Sequence, residues 1–183
     1  ILASTSPRRK ELLSGLGICY EVKTLPGIEE SYPDTLSGEE IPVFIACEKA
    51  DAYRQTMHSD ELIITADTIV WLDGLVMGKP EDEEDARRML RCLSGKTHQV
   101  ITGVCLTTTE FQKSFATVTD VTFAELTEEE IDYYVQKYKP MDKSGSYGIQ
   151  EWIGFVGVEG ITGSYFNVMG LPIQRLYKEL KKL

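Results

Sequence analysis

Ser4, Ser6, Arg8 and Arg9 crowd into the opening segment Ile1-Leu2-Ala3-Ser4-Thr5-Ser6-Pro7-Arg8-Arg9, and their chemistry is that of an anion site. Ser6 followed by Pro7 reads as a helix start, where unpaired backbone amides and the helix dipole favour negative charge. Hydroxyl donors and guanidiniums, which pair bidentately with phosphate oxygens, add to that preference. Asp67 is the second informative residue. It interrupts the run Leu62-Ile63-Ile64-Thr65-Ala66-Asp67-Thr68-Ile69-Val70, whose nearly unbroken apolar character is that of a strand buried on both faces. A carboxylate in such a strand needs a cation, a metal ion or an accessible strand end. Lys49, set among small and apolar residues, and Lys79, held between Gly78 and Pro80, are further cations, and the adjacent acids Glu29 and Glu30 follow Pro26-Gly27. Gln150 closes a loop rich in Gly and Ser and offers a base edge both a donor and an acceptor. Each also has a plain structural reading: a capped helix with its arginines in solvent, a solvent-facing lysine, a surface turn, a solvated pair of acids.

The elements that must position these residues follow from periodicity and caps. Leu12, Leu13 and Leu16 recur at helical spacing after Pro7, and Gly17 is expected to end that helix. Residues 20–24 alternate as a strand. Ser37 and Glu40 form a capping-box pattern opening a second helix, with Val43, Phe44, Ala46, Cys47 and Ala50 on its apolar face. The apolar run around Asp67 is the central strand, and Asp73-Gly74 turns it into a hairpin with residues 75–77. Residues 81–85 start an acidic helix that carries Arg87, Arg88 and Arg91 toward its end at Gly95, a charge order that suits the helix dipole. Strands are expected over 100–109 and 115–123, and Thr127 with Glu130 caps a helix running to Tyr138. A strand is expected near 153–158, and a last helix from Pro172 shows Ile173, Leu176, Tyr177, Leu180 and Leu183 on one face, for core packing or a subunit contact. The pattern is α/β, with an antiparallel element beside a more buried sheet.

With 183 residues and 42% apolar content, the chain can build one domain with a substantial core, or two small lobes sharing one sheet. No segment approaches the roughly 20 apolar residues of a membrane span and none resembles a signal peptide, so a cytoplasmic protein without a membrane partner is expected. The sequence opens at Ile1 inside an apparent strand without an initiator Met, so a few preceding residues are expected. A net charge of −10 argues against a nucleic acid polymer as partner, since such binding rests on a basic footprint. It leaves room for a small phosphorylated ligand, because screening over about 8 Å lets a local basic cluster act alone. The four cysteines are scattered singly in apolar surroundings and read as reduced core residues. With two histidines, a His-based metal cage is not expected.

Ser4-Thr5-Ser6-Pro7-Arg8-Arg9, Glu29-Glu30, Glu48-Lys49-Ala50, Ala66-Asp67-Thr68, Gly78-Lys79-Pro80, Leu93-Ser94-Gly95 with His98-Gln99-Val100, Asp142-Lys143-Ser144-Gly145-Ser146-Tyr147-Gly148-Ile149-Gln150, and Val168-Met169-Gly170-Leu171-Pro172 follow one another in a specific order and spacing. In these motifs the chain resembles the Maf family of nucleoside triphosphate pyrophosphatases over nearly its entire length. The resemblance implies a single domain over 1–183 with an α/β fold like that of inosine triphosphatases: an elongated mixed β-sheet flanked by helices, with a cleft between two lobes. It also implies a homodimer. Asp67 is then the proton acceptor or metal holder, Glu30 a metal ligand with Glu29 as substitute, and Ser4, Ser6, Arg8, Lys49 and Lys79 the triphosphate binders. Arg9, Thr68 and Gln150 resemble the branch that hydrolyses dTTP, UTP and modified pyrimidine nucleotides, rather than the branch acting on 7-methyl-GTP. Oxygen ligands and a phosphate substrate imply Mg²⁺ or Mn²⁺. Ser144 and Ser146 depart from the Lys-Ala-Gly-Ala-Tyr form common in the family loop. The rival reading is a non-catalytic nucleotide-binding regulator of cell division and septum formation. A serine hydrolase using Ser4 or Ser6 fits less well, because no GxSxG elbow is present.

Overall fold

Ser6 and Pro7 begin the first helix as their chemistry requires. In the computed structural model, which describes residues 1–183, the Ser6 hydroxyl oxygen accepts a hydrogen bond from the Arg9 amide at 3.4 Å and Pro7 occupies the first helical position. This helix, α1 (Pro7–Ser14), stops before Gly17, which takes φ +69° in the turn that follows. The strand expected over 20–24 shrinks to one parallel bridge between Leu2 and Val22, because the chain bends away toward α1 soon after Leu2. Leu2 also bridges Ile64 in parallel, with the Ala3 amide donating to the Ile64 carbonyl at 2.9 Å. Only half of the expected capping box forms ahead of α2 (Glu40–Arg54). The Glu40 carboxylate accepts from the Ser37 amide at 3.0 Å, but Gly38 at φ +53° turns the chain so that Glu39 takes the N-cap position.

Next come β1 (Ile63–Leu72) and β2 (Leu75–Met77), an antiparallel hairpin whose turn residues Asp73 and Gly74 both have positive φ. They are followed by α3 (Glu83–Leu93), the long strands β3 (Thr97–Thr107) and β4 (Gln112–Phe123), and α4 (Glu128–Tyr138). The expected strand near 153–158 is instead the short helix α5 (Trp152–Gly157). An apolar run this short fits either period, and the turn bonds Glu151 N–H to Gly148 O and Gly154 N–H to Glu151 O decide for the helix. The strand follows it as β5 (Val158–Thr162), paired antiparallel with β4, and α6 (Tyr165–Met169) and α7 (Ile173–Leu180) complete the chain. The five strands form one sheet in the order β2-β1-β3-β4-β5, so the architecture is mixed α/β. No helix is long and apolar enough to cross a membrane.

The chain divides into two compact units. The first comprises residues 1–68, 101–117 and 170–183. Its core includes Leu2, Leu13, Ile41, Ile45, Ile63, Leu106 and Leu176, each contributing roughly 1.5–3 kcal/mol by leaving water. Helix α2 meets β3 backbone to backbone: a Cβ on Gly103 would lie 2.3 Å from the Pro42 carbonyl carbon. On α7 the apolar face is narrower than its sequence pattern, since Tyr177 is exposed, Leu183 falls beyond the helix and Glu179 is buried. Lys113, Lys182 and Arg175 all donate to the Glu179 carboxylate and hold its pKa down at about 2.

The second unit comprises residues 69–100 and 118–169. Helix α3 packs on α4, with Met89, Leu90, Leu93, Ile131, Tyr134 and Val135 buried, and the Arg87–Asp132 contact at 2.8 Å bridges the two helices. His98 is buried against Phe123 and Tyr147. The cysteines do not all lie in the core: Cys105 is buried, Cys47 and Cys92 are half-buried, and Cys19 is exposed.

Candidate functional site

Thr65 sets the register that brings a cation to Asp67. Its hydroxyl donates to the Ala46 carbonyl of α2 at 2.7 Å. Asp67 lies two residues further along β1 and so on the same strand face, while Lys49 lies nearly one helical turn beyond Ala46. Lys49 Nζ accordingly meets Asp67 Oδ1 at 3.0 Å and donates to the Ala66 carbonyl at 3.4 Å. The same ammonium contacts Glu30 Oε1 at 2.8 Å. Of the three ways in which a strand accommodates a carboxylate, the fold uses the cation. Glu30 makes this contact, whereas Glu29 lines a separate cavity of about 680 Å³ with Tyr32, Phe44 and Glu48.

Asp67 is only 9% exposed, and burial raises its pKa above the ordinary carboxylate range. Lys49 and Arg9 oppose that rise, and Glu30 adds to it. The result is a carboxylate with more proton affinity than usual, placed against a shared ammonium.

Arg9 braces the strand on both sides of Asp67. Its Nε donates to the Gly170 carbonyl at 2.8 Å, one terminal nitrogen to the Ala66 carbonyl at 3.1 Å and the other to Thr68 Oγ1 at 3.1 Å. Burial lowers its pKa, partly offset by Asp67, but an arginine keeps its proton. A guanidinium engaged in this way is a brace, so the convergence of both arginines on one anion reduces to Arg8, which is half-buried on α1. Thr68 Oγ1 in turn pairs with Thr102 Oγ1 at 2.9 Å. Thr102, wholly buried in β3, is absent from the sequence-based candidates, because a threonine in a strand carries no signal beyond β propensity.

Ser4 and Ser6 sit where the chain enters α1. The Ser6 amide donates to Ser4 Oγ at 3.1 Å and the Arg9 amide donates to Ser6 Oγ. Both hydroxyl oxygens serve as acceptors for the local turn, which leaves their protons as donors to an anion.

The candidates therefore fall into two sets. Ser4, Ser6, Arg8, Arg9, Glu30, Lys49, Asp67 and Thr68 belong to the first unit, and Lys79 and Gln150 to the second. In the second unit Lys79 and Gln150 are exposed on loops held close together, since the Gly145 amide donates to the Gly78 carbonyl at 3.1 Å. Tyr134 steadies the Gln150 loop: its hydroxyl accepts from the Gly148 amide at 3.0 Å and donates to Glu151 Oε1 at 2.7 Å.

No group of three or more His, Cys, Asp or Glu side chains is placed to hold a metal ion. Glu30 and Asp67, drawn to one ammonium, form a two-carboxylate oxygen set, which suits a hard divalent cation that takes its remaining ligands from phosphates and water.

Comparison with protein families matches residues 1–183 to the family described as Maf-like protein. A protein of Phocaeicola vulgatus named dTTP/UTP pyrophosphatase is 81% identical over 183 residues, covering 100% of this chain and 95% of the relative. A protein of the same name from Bacteroides fragilis is 70% identical over the same coverage. One from Flavobacterium psychrophilum is 49% identical over 177 residues, or 97% of this chain and 90% of the relative.

Proposed function

The chain belongs to the Maf family over its whole length, and on that premise we propose that it is a nucleoside triphosphate pyrophosphatase acting on dTTP, UTP and modified pyrimidine nucleotides, with a housekeeping role in the nucleotide pool. Each substrate is split into the monophosphate and pyrophosphate. One observation carries the reading: the Lys49 ammonium of α2 lies between the Glu30 carboxylate and that of Asp67, whose strand is braced by Arg9 from the first turn of α1. The names of the relatives support the choice of dTTP and UTP.

Hydrolysis between the α and β phosphates needs an activated water and stabilisation of charge on the departing pyrophosphate. Asp67 takes the proton from the attacking water, a role favoured by its raised proton affinity. Lys49, Arg8 and the hydroxyls of Ser4 and Ser6 bind the triphosphate and follow negative charge onto the leaving oxygens. Lys79 shares that role by its family motif, and Arg9, Thr68 and Gln150 bear on pyrimidine choice. Glu30 and Asp67 would hold a divalent cation, Mg²⁺ or Mn²⁺, which when bound offsets phosphate charge and acidifies water. A cytoplasmic homodimer completes the reading.

The test is incubation of the chain with dTTP or UTP and Mg²⁺ in ¹⁸O-labelled water. The expected products are monophosphate carrying the label and unlabelled pyrophosphate in equal amounts. Release of inorganic phosphate overturns the reading. Nucleotide that binds but stays intact also overturns it, in favour of a nucleotide-binding regulator of cell division.

A further inference from the structure

We propose that Tyr134 is a positioning residue for pyrimidine selection: a single phenol on α4 closes the turn that displays Gln150. The inference deepens the proposed function and rests on it. The Glu151 amide donates to the Gly148 carbonyl at 2.9 Å, so Ile149 and Gln150 form the tip of a four-residue turn. The Tyr134 hydroxyl accepts from the Gly148 amide at 3.0 Å and donates to Glu151 Oε1 at 2.7 Å. Both ends of the turn are thereby tied to one oxygen atom. Gln150 lies between those ends and is exposed.

The clamp has a direction. A phenol gives one proton and accepts in return, and here the proton goes to the Glu151 carboxylate while the amide of Gly148 is received. Burial, with the bond to Glu151, raises the Tyr134 pKa and keeps that proton in place. The ring itself cannot wander, since Tyr134 is wholly buried between α3 and α4 and stacks on Tyr138 with the ring centres 5.2 Å apart. On the other side, Lys143 Nζ lies 3.5 Å from Glu151 Oε1 and steadies the same carboxylate. Gly148 is required by this arrangement. A Cβ there would lie 2.7 Å from Glu151 Oε1 and 2.8 Å from Lys143 Cε.

Gln150 needs such a mount. An exposed glutamine offers a base edge its donor and acceptor in register only if its backbone is held, because the side chain has no rigidity of its own. Tyr134 supplies that rigidity from a packed helix without reaching the base itself. It therefore acts on selection through Gln150 alone, which separates it from a residue that merely stabilises α4.

Tyr134→Phe keeps the ring and removes only the clamp. In this variant kcat/KM for dTTP should fall about tenfold relative to dATP, mainly through KM, and in a Gln150→Ala background the same substitution should move that ratio no further. Equal losses on both nucleotides overturn the proposal, as does an effect on the ratio that survives intact in Gln150→Ala. Glu151→Ala weakens the clamp from its other end and should shift the ratio in the same direction, and an unchanged ratio there also overturns the proposal. Amide hydrogen exchange by NMR, without nucleotide, follows the turn directly. In Tyr134→Phe the Gly148 amide should exchange about tenfold faster or more while Ile131 and Val135 of α4 keep their protection. Gly148 protected as in the wild type overturns the proposal, and if the α4 protection is lost the fold is damaged and Glu151→Ala decides. A wild type inactive on every triphosphate refutes the proposed function, and the exchange of Gly148 then still decides whether Tyr134 holds the turn.

Discussion

Lys49 Nζ lies 3.0 Å from Asp67 Oδ1 and 2.8 Å from Glu30 Oε1, so one ammonium answers two carboxylates. In the proposed reaction that ammonium is shared again, with the phosphates. As it turns toward them, Asp67 loses the largest charge opposing its protonation and becomes a better proton acceptor when one is needed.

Asp67→Asn separates chemistry from stability. Burial raises the Asp67 pKa in the folded chain. A carboxyl whose folded pKa exceeds its unfolded value costs stability once both states are ionised, and that cost vanishes below the unfolded value. At neutral pH the neutral isostere should therefore leave the melting temperature unchanged or higher, while turnover of dTTP falls by about 10³ or more. Calorimetry beside a pyrophosphate assay checks both. A loss of several degrees would mean that the Lys49 pairing outweighs the burial.

Lys49→Gln tests the pairing through the pH profile. Removing the opposing charge should raise the Asp67 pKa further, so the acid limb of kcat/KM moves to higher pH while turnover drops about 10²-fold. A lysine that only binds phosphate would raise KM and leave the limb in place. Profiles from pH 5 to 9 on both proteins distinguish these outcomes.

These two predictions lean on residues that the sequence made unequally conspicuous. Ser6-Pro7, Asp73-Gly74 and Thr127 with Glu130 announce caps and turns through local chemistry, and the structure uses each of them. Asp67 stands out because a charge in an apolar strand demands an explanation. Lys49 does not, since a lysine on a helix is normally solvated, and only the approach of α2 to the sheet at Gly103 brings it to the carboxylate. The buried Thr102 and Glu179 escape notice for the same reason: their partners Thr68, Lys113, Arg175 and Lys182 are distant in sequence or unremarkable on a surface helix. The 152–157 segment misleads because apolar residues between glycines fit a strand as well as a helix.

Arg9→Lys should act through position. Lysine has one donor centre where Arg9 reaches Gly170 O, Ala66 O and Thr68 Oγ1 with separate nitrogens. Ala66 O keeps Lys49 and Gly170 O keeps Thr68 as longer donors at 3.4 Å, so the expected cost is that of lost hydrogen bonds, about 0.5–1.5 kcal/mol each, which denaturant unfolding will read. Thr102→Val removes only the hydroxyl paired with Thr68, and it should lower kcat/KM for dTTP relative to a purine triphosphate while Thr102→Ser restores it. Equal losses for both nucleotides in Thr102→Val would remove the Thr68–Thr102 pair from base selection.

His98 should make the fold acid-sensitive independently of the site. Its Nε2 lies 2.6 Å from the Tyr147 hydroxyl, its Nδ1 has no partner, and burial lowers its pKa from 6.5 to about 4. Between those values the unfolded chain binds the proton and the folded chain does not, so stability falls as pH drops through that window and is fully present above it. A shift of this size is worth roughly 3 kcal/mol when complete. Many carboxylates also titrate there, so the readout is the difference between wild type and His98→Gln in urea midpoints at pH 7 and pH 4.5. The wild type should lose more than the variant. Parallel losses would mean that His98 takes up its proton within the folded chain, as an accessible imidazole does.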